Sequence, residues 1–437
     1  MKTSKFQLGL LAIFVIFIAG GLLFFSAFKG NPQSEAPTLL VWGTLPSAAV
    51  NNYLGVTVNK AESPAFSQVT YIQKRPETMY QQYVEALISG TGPDILLMPQ
   101  EEILKYRGKL TTIPYANYPE NDYKNSFIQE GELYLGSDGI QAIPFTVDPM
   151  VMYWNRDIFS NALIATPPKT WEEFLSLAPT LTKRDNATNI VRSAVGLGEY
   201  NNVTHAKEIL SMLFMQAGTP ITARYGNKVQ SQLVGTQEGV VSAGEQTLLF
   251  FTQFADPIKK VYSWNRSLPA TKTYFTSNRL GIYFGFASEF RELKALNPNL
   301  NFDVAVVPQI TAKTTTTPIN ITYGKMYGLS LARTQKSGAA LAAIYFMTSS
   351  ATLPTWVKQS GYASVRKDAL AIDASSAESS VFAISALWSR GWIDPDKAQT
   401  ATIFKNMIEG VTSGRNTPQE AIYDANSQLQ NILNRMQ

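Results

Sequence analysis

The chain has no cysteine among its 437 residues and a single histidine, His205. Disulfides, thiolate metal sites, cysteine nucleophiles and a lipid-modified N-terminal cysteine are therefore excluded. With one histidine, histidine metal clusters and relay-type triads go too, and neither a metal nor a cofactor is expected. An excess of either charge is also missing. The formal net charge is +4, but Lys2, Lys5 and Lys29 flank an N-terminal apolar run and no acid precedes Glu35. That leaves 34 basic against 33 acidic residues. A near-neutral body lacks the concentrated basic surface that phosphate backbones require, so nucleic acid is not expected as a partner. Gly196-Leu197-Gly198 lacks the third glycine of a dinucleotide fingerprint, and no Walker lysine motif is present. Gly136-Ser137-Asp138-Gly139 is a turn rather than a nucleophile elbow, with no histidine base to serve it. Two carboxylates alone can run a glycosidase, so Asp148 and Glu199 stay open as an acid pair.

What the chain does have is enough apolar material for packed cores. Apolar residues make up 45% and charged residues 16%, which excludes general disorder. The length calls for roughly two to three domains. Leu8–Phe28 carries no charge and is long enough to span a ~30 Å hydrocarbon core. The lysines ahead of it place the N-terminus in the cytoplasm and the body outside. Neither Ser26-Ala27-Phe28 nor Ser34-Glu35-Ala36 makes a good cleavage site. Residues 1–30 are therefore expected to be a retained single-pass anchor, with a cleaved, secreted form as the alternative. Residues 31–37 read as a tether.

Beyond the tether, Leu39–Trp42 and Gln68–Gln73 read as strands. Pro76 stands as the first residue of a helix over 77–89, and Asp94–Leu97 is a third strand. This rhythm predicts a parallel sheet, whose ligands gather at the carboxyl ends of the strands. Those ends carry Trp42, Thr44 and Gln100. The stretch Ala142–Asp157 then reads as a buried strand with a carboxylate, Asp148, at a crossing between two compact units. Thr170 and Glu173 form a capping box, which explains the adjacent acids Glu172 and Glu173 better than a paired-carboxylate site does. A strand and turn over 194–200, a helix over 204–217 and a helical region over 237–252 follow. Then come strands over 281–286 and 302–307, a threonine-rich linker over 312–318, a strand over 323–331 and a helix over 338–347. Thr417-Pro418-Gln419-Glu420 announces the last helix with a second capping box. No repeat of 20–50 residues is found.

Four of these segments, in order, carry a resemblance. Gly90–Asp94 precedes a strand, and Ile143–Thr170 joins the crossing strand to Tyr153-Trp154-Asn155-Arg156-Asp157 and a Pro-Pro pair. Asn299–Gln309 is a strand running into proline, and Ser413–Ile422 runs Ser-Gly-Arg-Asn-Thr-Pro-Gln-Glu-Ala-Ile. Together they resemble the extracellular solute-binding proteins of ABC importers, in the carbohydrate class that includes maltodextrin-binding protein. Two departures stand out: no lipidated cysteine, and Trp154 where a tyrosine is usual.

The resemblance implies an α/β fold of two periplasmic-binding-protein-like lobes, a Venus flytrap joined by hinge strands. Lobe one would comprise residues 38–147 and 272–325, and lobe two residues 148–271 and 326–437. The implied activity is capture of a sugar-like small molecule by a monomer and its delivery to ABC permease subunits, without catalysis. A membrane-anchored solute sensor and an exported glycosidase are the alternatives. Asp148 matches the family's hinge carboxylate. Glu199, Tyr200 and Asn201 follow a second-lobe strand where members contact ligand, and Lys405 falls near a last-helix contact. A sugar needs aromatic faces and hydrogen-bonding side chains, so Trp42, the loop pair Trp264 and Asn265, Phe284 and Tyr323 join the candidates. Trp171, Trp356, Trp388 and Trp392 are assigned to packing and His205 to the surface.

Overall fold

The computed structural model describes residues 36–436, apart from 62, 227, 235–241, 312–319 and 371–375. The apolar run Leu8–Phe28, residues 31–35 of the tether, the start of the helical region over 237–252 and the threonine-rich linker lie outside the described residues. Among the described residues, no helix is long and apolar enough to cross a membrane.

The sheet is built from β1 (Thr38–Gly43), β2 (Gln68–Gln73), β3 (Ile95–Pro99), β4 (Ile143–Asn155), β5 (Ile190–Val195), β6 (Leu280–Phe286), β7 (Phe302–Ala305) and β8 (Thr322–Leu331). β1 lies parallel to both β2 and β3, as the strand–helix–strand rhythm predicts. The helix Pro76–Ser89 between β2 and β3 starts on its proline, where the missing N–H costs nothing. It buries Met79, Tyr83 and Ala86 and stops at Gly90, whose φ of 70° a side chain would resist. Strand order runs β2-β1-β3-β8-β4-β6-β5, with β7 on β4 as a branch.

β4 organises the molecule. Twelve of its 13 residues are buried, the exception being Trp154. Its first half pairs antiparallel with β8, from Ile143↔Leu329 to Pro149↔Gly324. Its second half pairs with β6 and β7. Two separate hydrophobic cores form on either side of that switch. One holds Leu39, Val41, Tyr83, Leu96, Phe145 and Val147 together with Met326, Ile344, Trp356 and Ala386. The other holds Met150, Tyr153, Trp171, Phe214, Phe284 and Val304 together with Phe404 and Leu429.

These cores correct the expected lobe boundaries. Residues 272–325 were assigned to lobe one, yet Tyr274, Leu280, Leu293, Val307 and Tyr323 pack in the second core. Residues from Met326 to Ala386, assigned to lobe two, pack in the first. The cause is β6, which joins β4 after the crossing at Asp148 rather than before it. β8 therefore carries the chain from the second lobe back to the first. A third passage at Ser389–Arg390, paired with the start of β8, returns it to the second.

Candidate ligand cleft

In an antiparallel pair, residues directly opposite share a face, and successive residues alternate. Lys325 lies opposite Asp148 and Tyr327 opposite Thr146, so these side chains point to one side of the crossing strands, here called the front. Gly324 and Met326 face the back. A Cβ on Gly324 would fall inside the carboxylate of Glu130, so that acid belongs to the back.

On the front, Asp148 Oδ1 accepts the backbone N–H of Ser288 at 2.9 Å, and Oδ2 the Ser288 hydroxyl at 2.6 Å. Asp148 thereby ties the crossing to the turn that follows β6. Burial pushes its pKa up to about 6, against the opposing pull of the Ser288 bonds and of Lys325. Lys325 holds its ammonium 4.8 Å from the Phe286 ring centroid. Burial works against its charge, but Glu101, Glu208, Asp148 and Glu289 at longer range raise its pKa on balance. Beside it, Tyr327 meets Tyr362 edge-on at 6.2 Å, and Tyr362 stacks on Trp356 at 5.9 Å. Tyr71 completes this aromatic group, its hydroxyl given to the Leu45 carbonyl.

The second-lobe side carries Phe286, Ser288 and His205, with Tyr200 half-buried against the same core. His205 adopts φ 64° at the head of the helix Ala206–Gln216 and sets its ring edge-on to Phe286 at 4.8 Å. Its Nε2 meets Glu289 Oε1 at 2.5 Å, while Tyr283 donates to Oε2 at 2.7 Å. Burial alone would raise Glu289, yet His205, Tyr283 and Lys272 hold it down at about 2. Burial and the nearby Glu208 push Tyr200 up to about 12.

One acid joins the two lobes. Glu101, just past β3, accepts the Tyr323 hydroxyl on Oε1 at 2.9 Å. Its Oε2 lies 2.9 Å from Nζ of Lys397, on the helix Lys397–Thr412 of the second lobe. Burial opposes its ionisation, but Lys397, Lys325 and Lys207 together hold it at about 2.

The residues singled out in the sequence divide accordingly. Asp148 and Tyr323 both lie on the crossing strands, and Tyr200 is half-buried against the second core. Trp42 is the penultimate residue of β1, with Lys74 Nζ 3.6 Å from its ring centroid; Thr44 is half-buried in the turn beyond. Gln100 is on the back, donating to Glu130 and to the Gly324 carbonyl. Trp264 and Phe284 were expected to line the cleft and do not. Trp264 is fully buried with its Nε1 given to Asn202, and Phe284 packs on Trp171 and Phe174. Asn265 braces its own loop through Tyr262 and Ser267. Glu199 is held by Arg266 and Asn201 by Glu409, and Lys405 is half-buried on its helix. The reading of the sequence passed over Glu101, Lys325, Tyr327, Tyr362 and Lys397. Alternation along β8 was the available signal, since Tyr323, Lys325 and Tyr327 are every second residue.

Two further concavities lie off the front face. An apolar groove of about 880 Å³ in the second lobe is lined by Trp171, Leu175, Phe250 and Ile310. A cavity of about 640 Å³ behind the crossing is lined by Tyr115, Glu130, Arg224 and Arg390. Among the described residues, no group of three or more histidines or acids could hold a metal.

Two separately cored lobes, three crossings and a polar front face between them define a two-lobe binding protein. Residues 59–383 match the family model of the bacterial extracellular solute-binding proteins, and the chain belongs to that family. Solved structures share the fold. A cyclo/maltodextrin-binding protein complexed with maltotetraose is 16% identical at a TM-score of 0.72, covering 92% of this chain and 98% of its own. The cyclic alpha-maltosyl-1,6-maltose binding protein of Arthrobacter globiformis is 14% identical at 0.70, covering 91% and 100%. UgpB from Mycobacterium tuberculosis, in complex with glycerophosphocholine, is 18% identical at 0.69, covering 92% and 99%.

Proposed function

We propose that this solute-binding protein captures a sugar or oligosaccharide between its lobes and passes it to the permease of an ABC transporter. The observation that carries this reading is the front face of the crossing strands. There the Asp148–Ser288 tie, the Lys325 ammonium and the Tyr327 and Tyr362 phenols converge between two lobes. Phenol rings suit the C–H faces of a sugar, and the charged and hydroxyl groups suit its hydroxyls. The maltotetraose and maltosyl-maltose binders of the same fold support a carbohydrate, although the glycerophosphocholine complex shows that the fold takes other solutes. Against a glycosidase, Asp148 spends both oxygens on Ser288 and Glu199 is held by Arg266.

In this reading the protein acts as a monomer, held at the outer face of the membrane by Leu8–Phe28, with Asp148, Tyr200 and Tyr323 contributing to the cleft. Titrating the purified protein with mono- and oligosaccharides, followed by tryptophan fluorescence and calorimetry, tests it. Saturable binding without turnover is the expected result, and failure to bind any sugar overturns the carbohydrate reading. Deleting residues 8–28 should move the protein from the membrane to the soluble fraction.

A further inference from the structure

Lys325 differs from the other lysines that act on Glu101. Lys207 is fully committed, with Asp394 at 2.6 Å and Thr400 at 2.7 Å, and Lys397 has Glu101. Among the described residues Lys325 makes no hydrogen bond and no ion pair, and its ammonium has only the face of Phe286. A largely buried ammonium keeps three donors for which the protein supplies no acceptor, its charge being supported only through space by the carboxylates around it. The hydroxyls of Tyr327 and Tyr362, on the same face, also lack a hydrogen-bond partner among the described residues. Unpaired polar groups converging on a half-buried face between two lobes are the mark of a ligand contact.

The surrounding charges limit what that ligand can be. Asp148, Glu101, Glu208 and Glu289 all act on Lys325. On the cation side stand Lys397, already paired with Glu101, and Lys272, already shared between Glu289 and Glu292. An anionic group brought to Lys325 would also meet these carboxylates, whereas a hydroxyl pair would not.

We propose that Lys325 is the specificity-determining contact of the cleft, donating to neighbouring hydroxyl oxygens of an uncharged solute and rejecting its phosphorylated and uronate forms. The inference rests on the sugar-capture reading above and goes beyond it by naming the residue and the charge of the solute. The test uses the full chain, calorimetry with each neutral sugar that binds, and the phosphate and uronate counterparts of that sugar. Lys325→Met should weaken the neutral sugar roughly 10–100-fold when titrated well below its own thermal midpoint, where the variant is fully folded. A merely structural lysine would lower the midpoint and leave that affinity unchanged. Lys325→Arg, which keeps the charge and donors, should restore part of the affinity. Unchanged affinity in Lys325→Met, or a phosphate form that binds as tightly as the neutral sugar, overturns the inference while leaving sugar capture standing. A wild-type protein that binds none of the panel overturns both.

Discussion

Glu130 offers the sharpest quantitative test of the hinge. Its carboxylate is buried behind the crossing strands, pressed against Gly324 of β8 and Gly391 of the third passage. Oε1 receives Gln100 Nε2 at 3.3 Å, and Oε2 has no hydrogen-bond partner among the described residues. Burial raises its pKa to about 8, with Arg390 pulling down and Glu101 pushing up. The unfolded chain would hold this acid at about 4.3. A folded value above the unfolded one means that the acid stabilises the fold fully below about pH 4 and loses that contribution as pH rises through about 8. At ~1.4 kcal/mol per unit, about 3 kcal/mol remains at pH 6, and almost nothing at pH 9. Glu130→Gln fixes a neutral side chain of the same shape, so its stability should not follow that fall. Urea unfolding of both proteins, monitored by tryptophan fluorescence from pH 6 to 9 at constant ionic strength, gives the difference directly. Groups that titrate alike in the two proteins cancel. The variant should gain about 3 kcal/mol on wild type across that range. A difference flat to within about 0.5 kcal/mol would mean that Glu130 is ionised in the folded protein and that the back of the hinge is wetter than its burial implies.

Three further outcomes follow from the packing. Asp394→Asn strips the buried Lys207 of its counter-ion, which should cost about 3–5 kcal/mol in thermal unfolding, and wild-type stability would show the pair to be dispensable. Gly324→Ala drives a methyl into the Glu130 carboxylate and should lose about 1–3 kcal/mol, whereas Gly338→Ala, in an open helical position, should gain up to about 1; the reverse order of midpoints contradicts the front–back assignment. Trp264→Phe loses the bond to Asn202 and core volume, so stability should fall by about 1–3 kcal/mol with sugar affinity unchanged. A loss of affinity at wild-type stability would return Trp264 to the cleft.

Elements set by local chemistry were legible in the sequence. Pro76 opens its helix and Gly90 closes it in the left-handed region. The box at Thr417 and Glu420 is reciprocal, each residue's backbone N–H given to the other's side chain. Thr170 caps Glu173 as expected, but the Glu173 carboxylate takes the N–H of Lys169 rather than that of Thr170. β5 begins at Ile190, ahead of the predicted start, because exposed Val191 and half-exposed Arg192 hide the strand from an apolar count. Lobe membership was not legible. The apolar run of β6 says that it is buried, yet nothing in it says which half of β4 it joins.

The site failed in the sequence for a related reason. Aromatics next to amides looked like sugar platforms, which selected Trp264 with Asn265. In the fold both amide and indole are satisfied by their own lobe, Trp264 by Asn202 and Asn265 by Tyr262. Asp148 was found because a carboxylate inside an apolar strand needs a reason, and its place at the crossing was right even though its oxygens go first to Ser288. Lys325 needed the same reasoning, but its environment depends on register, since it lies opposite Asp148 only because Gly324 meets Pro149. A buried polar group is costly until it is paired, so the groups that mark a ligand cleft are those whose partners cannot be found within the protein. Finding them requires an account of every partner across three crossings, and that account belongs to the fold rather than to any one stretch of the chain.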